Sequence, residues 1–68
     1  MWDADKIRDL RKAYGETQED FSRRLRIGVG TLRHWEQGHG SPIGPAEALL
    51  DRLEEDMRDG KIRELQTG

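Results

Sequence analysis

Apolar side chains recur along the chain with the period of a helix. Ile7, Leu10 and Tyr14 stand at i, i+3 and i+7, which predicts an amphipathic helix ending near Tyr14. Asp3 or Asp5 can cap its start, and Gly15 supplies the left-handed residue that stops it. Thr17 opens a second helix, with Asp20 three positions later as a short variant of the capping box and with Phe21 and Leu25 as the inner face. A third helix is predicted after Gly28, carrying Leu32 and Trp35 on one face and ended by Gly38. The stretch from Gly38 to Pro45 is rich in glycine and proline and reads as a loop. Gly44 and Pro45 then fit an N-cap and first-position pair for a fourth helix. Its apolar stripe is Ala46, Leu49, Leu50, Leu53 and Met57, and its wet face is Asp51, Arg52, Glu54 and Glu55. Gly60 closes it. No stretch alternates like a strand. The pattern predicts an all-α fold, a four- to five-helix bundle over residues 1–60, followed by a tail over residues 61–68.

Length and composition narrow the picture. A chain of 68 residues holds one domain with a small core, since a domain of about this size buries only about 60% of its extended surface. There is no cysteine to staple it, which suits a reducing cytosol. No apolar run approaches the ~18 residues of a membrane span, and Met1 to Lys6 lacks the pattern of a signal peptide. A soluble, cytoplasmic protein with no membrane association is expected. The net charge of -2 is unevenly spread: residues 1–40 carry eight basic and seven acidic side chains, residues 41–68 four and seven. Arg23, Arg24, Arg26 and Arg33 crowd the middle, and a local basic face can attract DNA even on an acidic chain.

Only Arg26, Ile27 and Gly28 separate the second and third predicted helices. That is the length of the tight turn of a helix-turn-helix, which sets two helices at about 90–120°. At 100° per residue, Leu32 and Trp35 point to one side of the third helix. Gly30, His34 and Gln37 point to the other, with Arg33 on the flank. The outward set is small or hydrogen-bonding, as a helix laid in the major groove requires.

The run from Thr17 to Gly38 resembles the Cro/C1-type (XRE) repressor family, most specifically in Thr31-Leu32-Arg33-His34-Trp35-Glu36-Gln37-Gly38 followed by Ser41-Pro42. The segment from Gly44 to Asp56 resembles the last helix of short antitoxin-like members, and the resemblance spans about residues 5–58. It implies a lambda-repressor-like DNA-binding domain with double-stranded DNA as partner. It further implies that Gln18, at the start of the second helix, bonds a phosphate or reaches the groove edge, and Thr17 is counted with it among the DNA-binding residues. Gly28, Val29, Gly30, Thr31, Arg33 and His34 would approach bases and nearby phosphates. Gln37 would contact the backbone, with His39 following in the phosphate-facing loop. Arg11 and Glu36 match the positions of an ion pair tying the first helix to the third.

The chain departs from the family pattern at several places. Arg26 stands where a glycine is usual, in a turn needing positive φ, at a cost of about 1 kcal/mol. Gly28 replaces a Ser or Thr cap, an acceptable exchange. Glu16 replaces a commonly apolar residue, which is expected to weaken the corner between the first two helices. Gly30 is unusual inside a helix. Together Gly28 and Gly30 permit close backbone approach but remove side chains that read bases. Direct readout is therefore expected to rest on Arg33, His34, Thr31 and the Val29 methyls, with DNA shape supplying the remainder.

Other chemistry finds little support. His34 and His39 are two ligands where a structural zinc site wants four. Gly28 and Gly30 lack the preceding strand of a nucleotide-binding loop. The acids Glu54, Glu55 and Asp56 read as a solvated helix face. No catalytic constellation is present, so neither enzyme activity nor a cofactor is expected. The expected function is transcriptional repression, as an autoregulator binding an inverted-repeat operator as a homodimer, with signal input from protein level alone. Trp2, Ile62 and Leu65 either complete the core or serve the dimer, for which the fourth helix and tail are the candidate contact. Small phage and anti-CRISPR-associated regulators are of this kind. The alternative is an antitoxin whose acidic fourth helix or tail binds a toxin protein and which autoregulates its operon.

Overall fold

The computed structural model describes residues 2–60, and the 61–68 tail with Ile62 and Leu65 lies outside the described residues. Four helices follow one another: α1 (Ala4–Ala13), α2 (Gln18–Leu25), α3 (Val29–Glu36) and α4 (Pro45–Arg58). The described residues contain no strand, and the all-helical expectation holds with four helices.

Each helix begins as local chemistry dictates. The Asp3 carboxylate, not that of Asp5, caps α1 by accepting from the Lys6 N–H at 2.8 Å. The Thr17 hydroxyl caps α2 by accepting from the Asp20 N–H at 3.1 Å. Asp20 leans instead toward Arg23, 3.7 Å away. Gly28 starts α3 with no side-chain cap, and Gly44, at φ 60°, starts α4 with proline behind it.

The helix ends share one solution. After α1, the Glu16 and Gly15 N–H groups donate to the carbonyls of Arg11 and Lys12, at 3.3 and 2.9 Å. After α3, His39 and Gly38 donate likewise to His34 and Trp35, at 2.9 and 3.1 Å. This paired bonding satisfies carbonyls left open at a helix end and demands a left-handed residue. Gly15 (φ 68°) and Gly38 (φ 82°) supply it. After α2 the same two bonds run from Ile27 to Ser22 and from Arg26 to Arg23, at 3.0 and 3.1 Å. There the left-handed residue is Arg26, the one non-glycine with positive φ among the described residues (58°).

The inner faces meet in one core of Trp2, Ile7, Leu10, Tyr14, Phe21, Leu25, Leu32, Trp35, Leu50 and Leu53. Ile27, Ala46, Leu49 and Met57 pack against its edge. Both α1 and α2 pack on α3 and on α4, so α3 is held from behind by two helices. Trp2, 2% exposed, belongs to the core, and its Nε1–H donates to Asp51 Oδ1 of α4 at 2.7 Å. The Tyr14 hydroxyl donates to the Leu53 carbonyl at 2.9 Å, tying the end of α1 to α4 a second time.

At the corner between α1 and α2, Glu16 stands in place of an apolar residue and finds a polar partner. The Glu16 carboxylate accepts two hydrogen bonds from Arg24, at 2.8 and 3.0 Å, and the Arg24 guanidinium lies over the Tyr14 ring at 4.7 Å. The hydrogen bond to Glu16 raises the Arg24 pKa, keeping the guanidinium charged. An ion pair over an aromatic face thus occupies the place of an apolar contact. An exposed pair of this kind contributes modestly, about 0–1 kcal/mol.

Candidate nucleic-acid interface

Leu32 and Trp35 are buried, and this fixes which side of α3 meets water. Gly30, Thr31, Arg33, His34 and Gln37 are all exposed, while Val29 is half-buried at the first turn. The helical-wheel division between Leu32 and Trp35 on one side and Gly30, His34 and Gln37 on the other is therefore the division the fold makes. The turn is Arg26-Ile27-Gly28, three residues between Leu25 and Val29, with Ile27 half-buried as its anchor.

Two helix starts flank the exposed row. Thr17 caps α2 and is itself exposed; Gly28 opens α3 and is exposed, with no side chain engaging the first N–H groups. Such N–H groups, with the helix dipole behind them, favour an anion such as phosphate. At the other end of α3, the His34 and His39 rings meet edge to face with centroids 5.9 Å apart. The backbone bond from His39 to His34 holds that loop against the helix. Among the described residues no group of three or more His, Cys, Asp or Glu is placed to hold a metal ion.

Gln18 is half-buried and bridges the two helices. Its Nε2 donates to Glu36 Oε1 at 3.4 Å, and its Oε1 accepts from Arg33 Nε at 3.4 Å. Both bonds are long, near the limit of useful geometry, and exchange readily for a better partner. Behind Gln18, Glu36 is gripped by Arg11 through Nε and Nη2 at 2.9 and 3.0 Å, with side chains only 17% and 5% exposed for the arginine and glutamate. The ion pair implied for these two positions is thus present, and it connects through Gln18 to Arg33 on the exposed face.

Some contributors to this arrangement were not singled out in the sequence. Arg8 Nη2 donates to the Glu36 carbonyl at 3.2 Å, clasping the last residue of α3 from α1, while its buried Nε has no partner among the described residues. Arg11 Nη1 also donates to the Glu16 carbonyl at 3.0 Å. The i, i+3 spacing of Arg8 and Arg11 on one helix is a signal available in the sequence. Their common target on α3 is not, because it depends on the packing of two helices.

No curated protein and no solved structure is significantly similar to the chain. A helix-turn-helix family model does match, over residues 7–55, from the inner face of α1 to near the end of α4. With that match and a three-residue turn presenting an exposed polar helix face, the chain belongs to the Cro/C1-type (XRE) helix-turn-helix family of DNA-binding regulators.

Proposed function

We propose that the protein is a transcriptional repressor that reads a short inverted repeat near its own gene as a homodimer, and that it works by occupying DNA rather than by catalysis. The observation that carries this reading is the exposed row Arg33, His34 and Gln37 on a helix whose opposite side is locked into the core by Leu32 and Trp35. A rigid backing matters because base readout needs donors and acceptors held in register with the groove edge. Arg33 suits guanine, and His34 and Thr31 add short hydrogen-bonding contacts. Val29 offers methyls to thymine. Gln18, Thr17, Gly28, Gln37 and His39 lie at the helix ends and following loop, where phosphates bordering the groove would sit. Gly30 leaves the backbone bare between them.

Within this reading a dimer is favoured on energetic grounds. One small domain presents few contacts, and two linked copies convert the second half-site into a local encounter. The exposed side of α4, with the tail beyond it, is the proposed contact. Such a protein would reside on the nucleoid in the cytoplasm. Among the described residues no helix is long and apolar enough to cross a membrane.

Fluorescence anisotropy against the DNA upstream of the gene, with scrambled duplex as competitor and at two salt concentrations, tests the proposal. Specific binding that weakens steeply with salt is expected, because displaced counterions accompany each phosphate contact. Alanine at both Arg33 and His34 should abolish discrimination between operator and scrambled DNA. Sedimentation should give a dimer mass, at least on operator. Absence of specific binding, together with co-purification of a neighbouring gene's product, would replace repressor by antitoxin.

A further inference from the structure

All four helices end in a left-handed residue or are followed closely by one, and in three cases it is glycine: Gly15, Gly38 and Gly60, with φ of 68°, 82° and 79°. The exception is Arg26 at the end of α2, with φ 58°. The bonding around it matches that after α1 and α3, so the backbone there asks for what the backbone asks for elsewhere. Glycine meets that demand without the clash between Cβ and carbonyl oxygen that an L side chain incurs. An arginine at this position disfavours the folded backbone, and an unfavourable conformation kept in place points from the outlier toward a function.

The side chain makes no contact that would explain its presence. Arg26 is exposed, and among the described residues no carboxylate, carbonyl or ring engages its guanidinium. Its neighbours in α2 are committed: Arg23 to Asp20 at 3.7 Å, and Arg24 to Glu16 at 2.8 Å. Arg26 is thus an uncommitted cation two residues before Gly28, where α3 begins with no side chain over its first N–H groups. A helix start and an unpaired guanidinium on the residue two before its cap favour the same ligand, a phosphate, which arginine grips with two parallel hydrogen bonds.

We propose that Arg26 is a phosphate anchor, binding the DNA backbone beside the point where α3 enters the groove. The proposal rests on the reading of α3 as a recognition helix. A competing role exists, because a cation at the end of α2 also complements the helix dipole. That role would stabilise the free protein and leave DNA binding untouched, so the two make opposite statements about the glycine variant.

The test uses Arg26→Gly and Arg26→Lys in the full chain, with two readouts. Urea denaturation without DNA measures the fold, and anisotropy over a salt series measures binding to both operator and unrelated duplex. R26G is expected to match or exceed the wild type in urea midpoint. It should bind both duplexes several-fold more weakly, by a similar factor, because a phosphate contact carries no sequence information. The slope of log affinity against log salt should fall by about 0.9, the value for one phosphate neutralised on duplex DNA. R26K should recover most of the slope. Wild-type affinity and slope in R26G would overturn the proposal while leaving the recognition helix in place. Absence of specific binding by the wild type, with Arg26 intact, would overturn the reading of α3 and the anchor with it.

Discussion

Arg11 of α1 and Glu36, the last residue of α3, face each other through two parallel hydrogen bonds of 2.9 and 3.0 Å, with the carboxylate almost wholly out of water. The same arginine reaches the Glu16 carbonyl between α1 and α2, and the same glutamate accepts from Gln18 of α2. One ion pair therefore sits where α1, the first corner, α2 and the end of α3 converge. Its geometry fixes the angle at which α3 is offered, and the cost of desolvating two charges means that it contributes more to arrangement than to net stability.

Breaking the pair from one side should be severe. Arg11→Met or Glu36→Leu leaves a buried charge without its partner and is expected to cost about 3–5 kcal/mol in urea denaturation. The double variant R11M/E36L removes both charges and should regain most of that loss. Its DNA affinity should stay below that of the wild type, because Gln18 and Arg33 lose their anchor. Additive losses in the double variant would mean that the two side chains are not coupled.

Tyr14 ties stability to high pH. Burial, then the Asp56 carboxylate, raises its pKa above the ordinary value of 10.0, against a smaller opposing pull from Arg24. The folded state therefore prefers the neutral phenol, whose hydroxyl donates to Leu53. This contribution is complete below the unfolded phenol's pKa and is lost as pH rises through the folded one. Urea midpoints should thus fall with pH above about 10. Tyr14→Phe should cost about 1 kcal/mol near neutrality, the worth of one hydrogen bond, and flatten that alkaline decline. An unchanged alkaline decline in Y14F would remove Tyr14 as its source.

Trp2 anchors the start of the chain beneath α4. Its ring is buried, its Nε1–H is bonded to Asp51, and the Lys6 ammonium lies 4.9 Å from the ring centroid. Trp2→Ala should cost about 3–5 kcal/mol, as for other buried tryptophans. Asp51→Asn, which keeps an acceptor, should cost far less. A small loss in W2A would show that the amino-terminal residues are dispensable to the core.

The helices and the turn were legible in the sequence because each is set by local chemistry. Ile7, Leu10 and Tyr14 mark a face by spacing alone, Thr17 marks a start, and three residues between two periodic segments leave room only for a tight turn. The ends were legible through Gly15, Gly38 and Gly60. Trp2 was not assigned, because a lone aromatic before a helix has no period to read, and its partner Asp51 lies 49 positions away. The partner of Glu16 was not legible for the same reason. Its partner Arg24 is eight residues on, across a corner that only the packed helices define. For α3, the helical wheel separated the inside from the outside. The link from Arg11 through Glu36 and Gln18 to Arg33 depends on how three helices pack.

Gly30 separates stability from binding. It is exposed on α3, and a Cβ added there meets nothing within 4 Å, so the free protein has room for a side chain. Alanine is the better helix former, by about 1 kcal/mol in a helix interior and by less in the first turn, where Gly30 stands. Gly30→Ala should therefore raise the urea midpoint. On the proposed interface the bare backbone at this position lies against the floor of the groove, and a methyl would hold the helix off the bases. Affinity for operator should fall while the salt slope stays unchanged, since no charge is altered. Weak binding to unrelated duplex, which depends on phosphates, should be nearly unaffected. A variant that is more stable and binds operator equally well would show that DNA does not approach the backbone at Gly30. Base readout would then belong to the Arg33 and His34 flank of the helix alone.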